Sequence, residues 1–243
     1  MNLSKAYLLS NLFAVASASL RGTNKDIQRN LNPYTDSTTE STYRTRIADK
    51  NRIIGGEKAT EGRYGYAVSL ADSYGHFCGG SLIAPDVVLS AAHCAGGTYQ
   101  AIINRHNVTT QDGDAIDVAI EMPHPQYDDD TVDNDFMLLF LNRSTTESVT
   151  PVKVGDAFVG AGVNVTVVGW GDFDPDQDES ELAEELMEVE VQMISNAECD
   201  AAESNETDWE YDYNGEITDN MMCAKDPGQD ACQGDSGGPL VIR

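Results

Sequence analysis

Residues 53–243 predict an all-β fold, a sandwich or a pair of barrels, on three observations. The apolar runs are short, at 81–83, 87–89, 136–141, 163–168 and 189–194. Clusters of Gly, Pro, Asn and Asp separate them, which is the punctuation of many short strands. In the last run Val189, Val191 and Met193 alternate with Glu188, Glu190 and Gln192, the two-residue period of a strand with one face on a core. Only 181–186 could equally form a short helix. The 243 residues suffice for one large domain or two lobes with cores of their own.

The N-terminus has a different texture. Lys5 precedes an apolar stretch at 6–18 that ends in Ala16-Ser17-Ala18. A weakly positive start, an apolar stretch too short to span a bilayer and an A-x-A site predict a signal peptide over 1–18. Residues 19–52 are polar and rich in Ser, Thr and Asn; the stretch 32–42 has the composition of a disordered segment. The texture changes abruptly at Arg52-Ile53-Ile54-Gly55-Gly56. Secretion permits disulfides and glycans, and the chain carries five cysteines and four N-x-S/T acceptors beyond residue 18, at Asn107, Asn142, Asn164 and Asn205.

The net charge is −26. Residues 1–52 hold eight Lys/Arg and four Asp/Glu, so residues 53–243 hold seven Lys/Arg against 37 Asp/Glu, a net charge of −30. Such a surface excludes nucleic acid as a partner. It suits solubility or salty surroundings first, and steering of cationic substrates second. The acidic runs at 128–130 and 172–185 predict exposed loops.

Three motifs carry chemistry. Ser90-Ala91-Ala92-His93-Cys94 offers a histidine beside a cysteine that can anchor it; Asp133-Asn134-Asp135-Phe136-Met137 offers a carboxylate just ahead of an apolar strand; Gly234-Asp235-Ser236-Gly237-Gly238-Pro239 offers a serine among glycines. Nucleophilic catalysis by serine needs a base to take its proton, a carboxylate to orient that base and N–H donors for the oxyanion. With Ile53-Ile54-Gly55-Gly56 these motifs stand in an order that resembles the chymotrypsin/trypsin family of serine proteases, from residue 53 to the last residue.

The resemblance implies two six-stranded Greek-key β-barrels and a secreted serine endopeptidase made as a zymogen. It implies Ser236 as nucleophile, His93 as general base and acid, Asp135 as the residue holding the imidazole tautomer, and the N–H groups of Gly234 and Ser236 as oxyanion hole. Asp133 competes with Asp135; Asp135 is preferred because it stands closer to the apolar strand. His76, His106 and His124 lack the motif and are expected to be structural. Cleavage between Arg52 and Ile53 would remove a propeptide, 19–52, and free an α-amino group to pair with Asp235. Asp230, six residues before Ser236, would lie at the base of the primary pocket and favour substrate Arg or Lys.

The resemblance also implies disulfides. Cys78 pairs with Cys94 and Cys199 with Cys223, leaving Cys232 as the odd cysteine. The chain ends seven residues after Ser236, where family members continue with the closing strands of the second barrel, a pocket wall and a cysteine partner. The second barrel is thus expected to be incomplete, in a shortened chain or a short, inactive paralogue. Some trypsins bind calcium in the loop matching 105–115, but here Arg105 and Ala115 stand where those relatives place acids. Asp112 and Asp114 alone do not make a calcium site, and no zinc spacing occurs, so no metal or cofactor is expected. The expected partners are a protein or peptide substrate and an activating protease, for a monomer with no membrane partner. The main alternative is an inactive protease homologue acting as a binding or regulatory module. A third, an acidic structural or adhesive protein, explains the charge but not the ordered motifs.

Overall fold

Short alternating strands dominate the computed structural model, which describes residues 7–8, 56–155, 159–171, 182–202, 215–225 and 234–242. Six strands close the first barrel: β3 (Ala67–Asp72), β4 (Gly75–Ala84), β5 (Val87–Ser90), β6 (Gln100–Ile103), β7 (Asp114–Pro123) and β8 (Met137–Leu141). Their order around it is β3-β4-β5-β8-β7-β6, with β6 returning to β3, and each pair is antiparallel. Each pleat sends alternate side chains inward. In β8, Met137, Leu139 and Leu141 are buried and Leu138 and Phe140 only partly so. Val68, Leu70, Leu82, Val88, Ala101, Ile103 and Ile116 complete that core. Register shifts at 70/71, 82/84 and 118/120 bend the strands to close the barrel.

Among the described residues the second sheet is open. It runs β12 (Cys223–Lys225), β11 (Met187–Ile194), β10 (Asn164–Gly169), β13 (Leu240–Val241), and β2 (Glu57–Lys58) also pairs with β11. β10 is buried from Val165 to Gly169 because both its faces are covered. Val165 and Val167 face a core with Val189, Val191, Met193 and Leu240. Val168 faces the other way, with Trp170, Ala59, Tyr64, Ala67, Leu186 and Val241. Ala67 begins β3, so this cluster joins the sheet to the barrel. Two further two-residue strands, β1 (Tyr7–Leu8) and β9 (Lys153–Val154), pair in parallel, and the one helix among the described residues is α1 (Asn196–Asp200), capped by Ser195.

The all-β expectation is met, with the second barrel incomplete. The run at 182–186 is not helical. Ala183 and Leu186 instead donate backbone hydrogen bonds to Trp170 and His106. The polar face of β11 is also not uniformly wet. Glu190 and Gln192 are exposed, but Glu188 is buried. Its carboxylate accepts bonds from Arg63 Nη1 at 2.9 Å and the Tyr64 hydroxyl at 2.6 Å. A buried carboxylate needs such donors, and these hold the segment leading into β3 on the second sheet. Arg63 is 40% exposed, so its share is discounted for solvent screening. Glu188→Ala is expected to cost about 1–3 kcal/mol, read as a lower urea midpoint at unchanged slope.

Candidate active site

The β5–β8 pairing builds the site's base. The strands are antiparallel and Ser90, the last residue of β5, pairs with Met137, the first of β8. The residues just after β5 and those just before β8 therefore leave the barrel at the same end. A single 3₁₀ turn, Ala92–Cys94, succeeds β5; it buries Ala92 and Cys94 and turns the side chain of His93 outward, 38% exposed. The Cys78–Cys94 disulfide ties that turn to β4. Asp135 precedes β8 and meets His93 twice. Its Oδ1 accepts the His93 backbone N–H at 2.8 Å, and its Oδ2 lies 2.6 Å from Nδ1. An ionised carboxylate only accepts, so Nδ1 carries a proton, and in the neutral tautomer this selects, Nε2 has the lone pair.

Asp133, the competing carboxylate, is engaged elsewhere. It accepts from Thr218 Oγ1 at 2.7 Å and from Asn220 Nδ2 and Asn134 Nδ2 at 3.1 Å. The Thr218 bond leads the contacts that hold its carboxyl below the usual range. It ties the loop ahead of β8 to the loop ahead of β12. Val132 and Asn134 flank it at φ +56° and +55°, a conformation costly for a β-branched residue.

The serine segment lies against the same turn. Gly79 N–H donates to the Ser236 carbonyl at 2.7 Å and Gly238 N–H to the Asp235 carbonyl at 2.8 Å. Gly237 sits at φ +77°, and a Cβ there would overlap Ser90 Oγ and crowd Ala91 N and Gly79 O to 2.8 Å. Cys94 Sγ lies 3.9 Å from the Ser236 carbonyl oxygen. That is packing only, since a disulfide sulfur has no proton to donate. Asp235 is buried, 1% exposed, and accepts the Gly171 N–H at 2.7 Å. A side chain at Gly169 or Gly171 would occupy the space of its carboxylate.

His76, expected to be structural, lies beneath the serine segment. Its Nε2 lies 2.9 Å from the Gly234 carbonyl and its Nδ1 2.8 Å from Ser69 Oγ. A carbonyl cannot donate, so Nε2 carries the proton and Nδ1 accepts from Ser69. Burial lowers its pKa to about 4, against the opposing Gly234 bond and with Arg105 adding to the fall. No sequence motif marks this role; it arises because β4 passes beneath the serine segment. The other two histidines lie apart: His124 packs on Phe136 and His106 belongs to the β6–β7 loop.

Arg52, Ile53, Asp230, Cys232 and Asn205 fall outside the described residues, as do the expected signal peptide, save Tyr7–Leu8, and the expected propeptide. Cys199–Cys223 is formed as the resemblance implies. Asn142 and Asn164 are exposed; Asn107 is half-buried, its Oδ1 accepting from Thr109. A cavity of about 590 Å³ between the β3–β4 turn and β7 is lined by Asp72, Tyr99, Asp117 and Glu121, and by none of His93, Asp135 or Ser236. Chemistry rather than volume locates the site. Cys78, His93 and Cys94 lie close enough to suggest a metal cluster, but both sulfurs are spent in the disulfide.

A closed six-stranded barrel beside a second β-sheet, with the His93, Asp135 and Ser236 motifs in that order along the chain, is the architecture of a trypsin-like protein. Comparison with known proteins agrees. The Trypsin family model matches residues 53–243. The chain is 37% identical to serine protease 1 of Rattus norvegicus over 207 residues, 80% of this chain and 76% of that one. It is 36% identical to trypsin of Squalus acanthias, over 79% of this chain and 81% of that one. Against serine protease 1 of Homo sapiens the identity is 35%, over 79% and 75%. The chain belongs to the trypsin family of serine proteases.

The buried imidazole of His76 makes stability depend on acid. The unfolded chain takes up its proton near pH 6.5 and the folded chain only near 4. Its contribution is therefore complete above pH 6.5 and is lost as the pH falls toward 4. The span corresponds to about 3 kcal/mol. His76→Asn is expected to show a shallower fall in urea midpoint between pH 7 and pH 4.5 than the parent protein.

Proposed function

We propose that this chain is a secreted serine endopeptidase, made as a zymogen, that cleaves after Arg or Lys. The observation that carries the reading is the twofold seat of His93 on Asp135. It supports the tautomer whose Nε2 can take a proton, on the same turn that packs against the Ser236 segment. In the mechanism established for the family, Nε2 of His93 accepts the Ser236 hydroxyl proton as Oγ attacks the scissile carbonyl. His93 then returns that proton to the leaving amine. Asp135 keeps the tautomer and stabilises the imidazolium, and the Gly234 and Ser236 N–H groups stabilise the oxyanion.

Activation acts through Asp235. Its buried carboxylate, which accepts the Gly171 N–H, supports a switch in which cleavage after Arg52 frees the Ile53 amino group to pair with it. Asp230 supplies the charge for a basic substrate side chain. Residues 1–18 direct secretion and 19–52 are the removed propeptide. No helix among the described residues is long and apolar enough to cross a membrane. The open second sheet favours one other reading, a homologue that binds without cutting.

One experiment separates the two. The protein cleaved after Arg52 is expected to hydrolyse Arg and Lys esters, and Ser236→Ala to lower kcat by at least about 10⁴-fold. Turnover that survives the substitution refutes the nucleophile; no turnover in the parent protein favours the binding homologue. For specificity, Asp230→Ser is expected to reduce the preference for basic over neutral side chains by at least about a hundredfold in kcat/KM.

A further inference from the structure

The loop between β6 and β7, residues 104–113, turns its backbone carbonyls inward around the side chain of Arg105. That side chain is 9% exposed. Its Nη2 donates to the Val108 carbonyl at 3.0 Å and to the Thr110 carbonyl at 2.9 Å, and its Nε to the Asn107 carbonyl at 3.3 Å. Asp112 stands 4.0 Å from Nε. A positive charge thus already sits at the centre of the loop, with three oxygens committed to it.

This loop matches the one in which some trypsins bind calcium. Calcium takes six to eight oxygens at about 2.3–2.6 Å, several of them carboxylate, and the residues present do not fit that demand. Arg105 and Ala115 bring no carboxylate. Asp112 is spent on the loop itself: Oδ2 accepts from His106 N at 2.7 Å and Asn107 N at 3.0 Å, and Oδ1 from Thr110 Oγ1. Asp114 is committed to Arg143, whose Nη2 and Nη1 lie 2.6 and 2.9 Å away, and to Thr145 and Thr146. The Arg143 guanidinium is the main reason its carboxyl stays well below the usual range. An entering cation would meet a like charge and would have to displace a guanidinium that three carbonyls already hold.

We propose that Arg105 is the tethered cation of this loop, holding from within the carbonyls that an ion would otherwise gather, so that the chain neither binds calcium there nor needs it. The loop matters beyond itself. The His106 carbonyl accepts from Leu186 N at 2.7 Å and from Trp170 Nε1 at 3.1 Å, and Val108 N donates to the Glu184 carbonyl at 2.8 Å. Trp170 stands between Gly169 and Gly171, the two glycines against which the Asp235 carboxylate packs. Arg105 therefore closes a joint between the barrel and the second sheet with a charge that cannot diffuse away or be chelated.

The test is thermal unfolding of the full chain in EDTA, in millimolar magnesium and in millimolar calcium at matched ionic strength. The expected result is a Tm that calcium raises no more than magnesium does, any shared rise being screening of the acidic surface. A saturable, calcium-specific rise of several degrees overturns the proposal. Arg105→Gln is expected to lower Tm by roughly 4–8 °C in all three media. A variant as stable as the parent protein also overturns it. The parent titration stands whether or not the variant folds.

Discussion

The site depends on two backbones touching. The Ser236–Gly238 segment lies directly on Gly79 of β4, close enough that Gly79 N–H bonds the Ser236 carbonyl and a Cβ at Gly79 would come within 2.8 Å of the Gly238 Cα. Only glycine on both sides permits such an approach. From that contact the other parts take their places. Cys78, one residue before Gly79, carries the disulfide to Cys94 and so fixes the His93 turn. His76, three before it, reaches the Gly234 carbonyl. On the other side Leu240 and Val241 enter the second sheet against β10. The contact links the barrel that holds the base and its carboxylate to the sheet next to the nucleophile.

The charge distribution shows a similar economy. Residues 53–243 carry only seven cationic side chains. Among the described residues Lys58, Arg63, Arg143 and Lys225 bond Glu185, Glu188, Asp114 and Glu198, and Arg105 fills the β6–β7 loop. The exposed pairs contribute little energy; Glu188 matters because it is buried, and Arg105 because its side chain holds three carbonyls. A chain with a net charge of −30 over these residues repels itself. The buried acids are those with donors already in place: Glu188 on Arg63 and Tyr64, Asp235 on the Gly171 N–H.

Much of this was legible in the sequence. Short apolar runs located β8 and β10, and the alternation of a half-buried strand located β11, each to within two residues. The four ordered motifs pointed to His93, Asp135 and Ser236. What failed to show was whatever depends on a third dimension. Glu188 occupies a polar position of a regular alternation, and nothing local says that Arg63 and Tyr64 cover it. Asp133 and Asp135 are two residues apart with the same chemistry; what separates them is that Thr218 and Asn220, more than 80 residues on, reach only the first. That the structural histidine His76 joins Ser69 to Gly234 was not legible, because those partners lie in different parts of the chain. The possible helix at 181–186 yielded to pairing of its backbone with Trp170 and His106, an instance of tertiary contacts overriding local propensity.

Arg105 shows the limit most clearly. Read along the chain, it is a missing calcium ligand, a position where an acid has been lost. In the folded loop the same residue is a gain, because its guanidinium fork matches converging carbonyls. The two descriptions differ in what they require of neighbouring residues. A site that has merely lost its ion would leave carbonyls turned inward without a donor, a cost that buried polar groups rarely bear. Here Asn107, Val108 and Thr110 each have their donor on one side chain. Asp114 pairs instead with Arg143. Once the cation is part of the chain, the loop no longer has to keep a second carboxylate for it.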